Sequence, residues 1–160
     1  MDATDLLIKE VDPQGPDALA LLREAAVEAR ALYSEPHPPG APWPANSPTQ
    51  ARGIYLVAYL DGKPVACGAL RPLEKTVVEV RRMYVARHAR RKGIARAILR
   101  ELEAAAARFG YKTLRLETGY RQLPAMALYE SYGFRRIEPF GEYANDPTSV
   151  CYEKAVQAPA

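Results

Sequence analysis

The clearest periodic signal in the chain runs from residue 94 to 109, where Ile94, Ala97, Ile98, Leu102, Ala105, Ala106 and Phe109 recur every three or four positions and Gly110 follows. That spacing lays the apolar side chains along one stripe of an α-helix, and a glycine just past the last turn supplies the left-handed residue that commonly ends one. A second stripe, Leu19, Leu22, Ala26, Ala29 and Tyr33, starts behind Pro16, a residue suited to the first helical position. A shorter helix is expected over 124–132, with Pro124 near its start and Gly133 past its end. Elsewhere the pattern is that of strands: 6–11, 54–60, 64–70, 77–85, 113–118, 134–137 and 149–154. Asp61-Gly62 joins the second and third as a hairpin turn.

Between the first helix and that hairpin, residues 34–48 hold six of the 14 prolines and form a long loop, since proline removes the N–H that helices and central strands need. The middle of the chain reads strand, turn, helix, strand, a βαβ unit whose two strands are parallel. With a hairpin before it and further strands after it, the class is α/β (α+β), a mixed and mostly antiparallel sheet. No internal repeat or linker divides the chain. Residues 1–155 are expected to form a single domain, and 156–160 a frayed tail.

Composition adds little beyond a globular class until the charge is mapped. The net charge is +3, yet eight basic residues and no acid fall between Val80 and Arg100, leaving 14 bases against 19 acids in the rest, or −5. A mildly acidic body with one basic segment suits a local anionic partner better than general nucleic-acid affinity. No apolar run approaches a membrane span, and the acidic start lacks a leader pattern, so a cytoplasmic protein with no membrane partner is expected. Cys67 and Cys151 lie in apolar runs and read as reduced, buried thiols. With only His37 and His88 to join them, no metal is expected.

The basic segment centres on Arg90-Arg91-Lys92-Gly93-Ile94-Ala95, directly before the best helix. Cations at a helix start oppose the macrodipole, at a cost of about 0.3–1 kcal/mol per badly placed charge. A docked anion reverses that sign. The helix start presents unpaired N–H donors, and Gly93 lets a ligand approach them closely, so the turn fits a phosphate. It is neither a P-loop, because Ile94 stands where Lys is required, nor a three-glycine dinucleotide fingerprint.

These residues resemble the acetyl-CoA segment of the GNAT N-acetyltransferases. The family pattern Arg/Gln-x-x-Gly-x-Gly/Ala is met by Arg90, Gly93 and Ala95, behind a strand ending in Met83-Tyr84-Val85. A second family segment, Asn-x-x-Ala-x-x-Leu-Tyr followed by Gly-Phe, is met by Ala125, Leu128, Tyr129, Gly133 and Phe134, with Gln122 in place of Asn. The C-terminal part, Pro139-Phe140-Gly141 through Cys151 and Lys154, is similar to a bacterial subgroup. The resemblance implies a GNAT fold: a sheet of six to seven strands with a splayed parallel central pair, flanked by about four helices. It implies acetyl-CoA as cosubstrate, its pantetheine arm paired with the main chain of Met83, Tyr84 and Val85. The pyrophosphate would sit on Arg91, Lys92, Gly93, Ile94 and Ala95, with charge from Arg90 and Arg96, and Gln122 nearby.

The implied chemistry is direct acyl transfer to an amine. Tyr129 matches the family tyrosine that protonates the departing thiolate, and a phenol is protonated at neutral pH. The base is left between Glu79, Glu117 and water. Glu79 lies on the strand leading to the cofactor, on the face that alternation shares with Arg81, Met83 and Val85. Glu117 ends the next strand and could orient the amine or pair with Arg81 or Arg115. Trp43, Tyr120, Phe140 and Tyr143 are candidates for the acceptor wall beside Glu117. The expected partner is a small-molecule primary amine. A peptide or protein acceptor, a non-catalytic CoA sensor and a homodimer remain open, and a nucleic-acid partner is not expected.

Overall fold

The computed structural model describes residues 5–32 and 43–159. In chain order the elements are β1 (Leu6–Glu10), α1 (Pro16–Leu32), β2 (Ile54–Leu60), β3 (Lys63–Glu74), β4 (Val77–Val85), α2 (Ile94–Arg108), β5 (Thr113–Gly119), α3 (Leu123–Tyr132), β6 (Arg135–Ile137) and β7 (Ser149–Ala155). Short 3-10 turns stand at Arg87–Ala89 and Gly141–Tyr143. The seven strands form one sheet in the order β1-β2-β3-β4-β5-β7-β6, antiparallel except for β4 and β5. Among the described residues there are three α-helices, one fewer than the resemblance suggested. Residues 43–50, with Pro44 and Pro48, carry no regular structure. The remainder of the proline-rich loop lies outside the described residues.

The local chemistry explains the elements. Asp61 and Gly62 both take positive φ, 53° and 81°, which is the turn geometry that matches strand twist in a two-residue hairpin. α2 buries Ile94, Ile98, Leu102, Ala105 and Ala106 of the expected stripe and adds Leu99, while Ala97 and Phe109 are half-buried. It packs with α3 against Leu56, Leu70, Val78, Val80, Leu114 and Leu116 on one face of the sheet. Gly68 permits that approach, since a Cβ there would lie 2.7 Å from Ile98 Cγ2 and 2.8 Å from Met83 Sδ. α1 covers the other face, where Ala18 and Leu21 meet Tyr55, Val57, Cys67 and Ala69. Cys67 and Cys151 are buried free thiols. Past β7, Val156 N–H donates to the Lys112 carbonyl and Gln157 N–H to Glu103. No helix among the described residues is long and apolar enough to cross a membrane.

Two irregularities shape the middle of the sheet. β4 and β5 pair only from Val77↔Thr113 to Val80↔Leu116, although β4 continues to Val85 and β5 to Gly119. Beyond Val80 the strands part. In the same place β4 carries a bulge: its register on β3 shifts between Ala69↔Arg81 and Cys67↔Tyr84, with Arg82 at φ 61°. The extra residue resets the alternation. Glu79 and Arg81 share one face, but Met83 and Val85 pack with Val78 and Val80 in the core on the other. The expected parity of Glu79 with Met83 and Val85 is therefore incorrect, because strict alternation does not survive a bulge.

Candidate active site

The N-terminus of α2 is open. Its N-cap is Gly93 in the left-handed region at φ 78°, with no side-chain cap and no acid in the first turn. Arg91 also has positive φ, 65°, so the chain reverses hand at both Arg91 and Gly93 on its way into the helix. A Cβ on Gly93 would meet nothing within 4 Å, so that side of the turn is open. The surrounding cations divide in two. Arg90 turns inward: its Nε donates to the Val85 carbonyl at 2.9 Å and its Nη2 to Glu28 of α1 at 2.6 Å. Arg90 in turn holds the Glu28 carboxyl below its usual range. Arg96 donates to Ser131 Oγ of α3 at 2.5 Å. Arg91 and Lys92 are exposed and have no hydrogen-bond or ion-pair partner among the described residues.

On the α1 face, where β4 and β5 part, lies a cluster of polar groups. Glu79 is 1% exposed and fully engaged. Arg71 donates to its Oε1 from Nη2 at 2.6 Å and from Nε at 3.1 Å, and Tyr143 OH donates to Oε2 at 2.6 Å. Arg71 also bridges to Glu142 at 2.7 Å. Glu117 is only half-buried. Ser149 Oγ donates to its Oε2 at 2.7 Å, and its other oxygen has no partner among the described residues. Burial pushes the Glu117 carboxyl above the usual carboxylate range, with the charges of Asp146 and Glu79 adding to it, while the Ser149 bond and Arg81 oppose. Arg81 is half-buried and makes no hydrogen bond or ion pair among the described residues.

Tyr129 sits on α3 in the opposite core, edge-on to Phe134 with centroids 5.8 Å apart. It is 5% exposed, and its hydroxyl has no hydrogen-bond partner among the described residues. A buried hydroxyl normally has one. Burial, with the Glu117 carboxylate adding to it, raises its pKa, so it stays a proton donor throughout the neutral range.

The other expected residues divide between this cluster and other places. Phe140 and Tyr143 meet edge-to-face at 5.4 Å and cover the Glu79 face, with Arg115 beside the Phe140 ring. Trp43 lies between the guanidinium groups of Arg23 and Arg30, at 3.9 and 3.6 Å, on α1 rather than over Glu79. Tyr120 is exposed and accepts from Arg121 Nε at 2.9 Å. Tyr84 points to α1, its OH donating to Glu24 at 2.9 Å, so only its main chain faces the strand split. Gln122 is the N-cap of α3, and its N–H donates to the Gly119 carbonyl.

A cavity of about 180 Å³ adjoins this cluster, lined by Asn46, Tyr55, Ala69, Arg71, Arg81 and Arg82 among others. Arg82 closes one side by donating to Asn46 Oδ1 at 2.9 Å and to the Ala45 carbonyl at 3.0 Å. Sequence reasoning missed Arg71, Arg82, Asn46, Ser149 and Glu28, which act through tertiary contacts that no local motif announces. A larger cavity of about 560 Å³ opens between residues 138–139 and 149–150 and brings none of the expected site residues together. No metal-binding group of His, Cys, Asp or Glu is present among the described residues.

The fold occurs in known proteins. The family model for the acetyltransferase (GNAT) family matches residues 20–134. An uncharacterized N-acetyltransferase of Bacillus subtilis, YsnE, is 41% identical over 102 residues, which is 62% of this chain and 68% of that protein. A Klebsiella pneumoniae protein, provisionally assigned as an acyl-CoA N-acyltransferase, superposes with a TM-score of 0.81 at 29% identity, over 98% of this chain and 100% of that one. A GNAT family acetyltransferase of Elizabethkingia anophelis, solved with acetyl-CoA bound, shares the fold at a TM-score of 0.67 and 20% identity, over 95% and 99% of the two chains. With a family match spanning both motif segments, the chain belongs to the GNAT family of acetyltransferases.

Proposed function

We propose that the protein transfers the acetyl group of acetyl-CoA directly to the primary amine of a small molecule. The observation that carries this reading is the split between β4 and β5, with Glu117 on one face of the sheet, Tyr129 on the other and the uncapped α2 start beyond the end of β4. Acetyl-CoA supplies the acetyl group as an activated thioester.

The residues present fit this cosubstrate. The α2 N–H groups of Ile94, Ala95 and Arg96 have no side-chain cap, and the left-handed turn at Gly93 leaves them accessible to a pyrophosphate. Arg91 and Lys92 are available to add charge. Arg90 and Arg96 are positioning residues, tying the turn to Glu28 and Ser131. From Arg81 onward the edge of β4 that faces β5 has no strand partner, so its main-chain groups are available to an extended amide-bearing arm.

Glu117 is the proposed base and amine-orienting group. Its pKa is raised, which makes the carboxylate a stronger proton acceptor than an ordinary one, and one oxygen is unoccupied. Glu79 is the weaker candidate, because both oxygens already accept hydrogen bonds in a sealed position. Its proposed role is to anchor Arg71 and Tyr143 on the acceptor face. Tyr129 would protonate the leaving thiolate: its hydroxyl is buried, protonated and unpartnered. A cavity of about 180 Å³ favours a small acceptor over a peptide.

Titration calorimetry with acetyl-CoA tests the reading, followed by an amine panel assayed for free thiol release. Saturable binding and amine-dependent thiol release are expected. Absence of saturable binding overturns the proposal.

A further inference from the structure

The pairing of β4 with β5 ends at Val80↔Leu116. The next residue on each strand is therefore the first on its side of the split: Arg81 on β4 and Glu117 on β5. Alternation puts both on the α1 face, away from the core positions of Val80 and Leu116. One is a cation and the other a carboxyl group, and neither is used up by the protein.

The other arginines of this face are occupied. Arg71 binds Glu79 and Glu142, Arg115 binds Glu153 at 3.0 Å, and Arg82 binds Asn46 and the Ala45 carbonyl. Arg81 alone among these four makes no hydrogen bond or ion pair among the described residues, although Glu117, Glu142 and Tyr143 lie close enough for its charge to act on them. Its side chain is half-buried and lines the cavity of about 180 Å³. A guanidinium presents a planar fork of donors that matches a carboxylate in two hydrogen bonds.

Resting on the acetyltransferase reading above, we infer that the acceptor is a small amine that also carries a carboxylate. Arg81 takes the carboxylate in the cavity and Glu117 receives the amine at the split. This places two recognition groups of opposite sign on adjacent strands, each at the first unpaired position of its strand. The neighbouring Arg82 adds positive charge on the cavity side, and Glu142 with Tyr143 borders Arg81 on the other.

The experiment compares free L-amino acids with the corresponding L-amino acid amides, in the wild type and in Arg81→Gln. Thiol release gives kcat/KM, and the thermal shift of the CoA-loaded protein gives binding without turnover. The wild type is expected to favour the acid over its amide by roughly 10- to 100-fold. In Arg81→Gln that ratio falls to near one, and Arg81→Lys retains part of it. Equal use of acids and amides by the wild type overturns the inference, as does an undiminished preference in Arg81→Gln. So does an absence of both turnover and thermal shift with every acid while acetyl-CoA binds. Failure of the wild type to bind acetyl-CoA overturns the acetyltransferase reading instead.

Discussion

Gly93→Glu is the most direct probe of the phosphate turn. Gly93 sits at φ 78°, so any L-residue there costs about 1–2 kcal/mol of stability. Its Cβ meets no protein atom within 4 Å, so no steric cost is added. For a chain of 160 residues this corresponds to a fall in Tm of about 2–8 °C. The ligand cost is larger. The new carboxylate would occupy the N–H groups meant for the pyrophosphate. Losing two charge-assisted hydrogen bonds, at about 1.5–3 kcal/mol each, weakens binding by roughly 10²- to 10⁴-fold. Gly93→Ala carries the same backbone cost without the charge, so its Kd is expected to rise less than about tenfold. Calorimetry with acetyl-CoA, alongside a thermal melt, separates the two costs. A folded Gly93→Glu protein that binds acetyl-CoA within about threefold of wild type refutes the placement of the phosphate.

Tyr129→Phe removes a hydroxyl without a partner, so stability should hold or rise by up to about 1 kcal/mol while turnover falls roughly 10²-fold. A large loss of Tm with unchanged kcat would mean that the hydroxyl is structural. Glu117 has a raised pKa, so kcat/KM should climb with pH through a value above the usual carboxylate range. Glu117→Gln should abolish that limb, and a limb that persists in the variant assigns it to another group. Glu103 accepts from Lys154 Nζ at 2.6 Å, Tyr132 OH at 2.8 Å and Gln157 N–H. Burial alone would raise its pKa, but these three donors outweigh it and lower it. Its stabilising contribution is thus present above the unfolded carboxylate pKa and lost as pH falls through the lower folded value. Glu103→Gln should cost about 1.5–3 kcal/mol at neutral pH in denaturant melts, because Lys154 loses its ion pair and keeps the Ala155 carbonyl as a partner.

Local signals carried most of the fold. Residues 77–85 are both the expected and the observed bounds of β4, because the run is rich in valine and ends before a basic turn. Helix α2 follows its stripe to Arg108, with Phe109 as the C-cap. The open helix start at Gly93 was also legible, since a glycine before an apolar stripe with no capping side chain has few other uses. The faces of β4 were not. An arginine at positive φ has no sequence signature, and the bulge at Arg82 moves Met83 and Val85 across the sheet. Nor could the sequence say which cations stay available, since Arg90 is held by a glutamate 62 residues away. The relative standing of Glu79 and Glu117 depends on Arg71, Tyr143 and Ser149, which arrive from other strands and loops.

The bulge at Arg82 makes β4 two half-strands with separate duties. The half before it offers Glu79 and Arg81 to the acceptor face, and the half after it faces Met83 and Val85 toward α2. Asn46 and the Ala45 carbonyl grip that bulge through Arg82, so exchange of residues 45 and 46 reaches the pleat of the central strand, and loop and strand are expected to vary together.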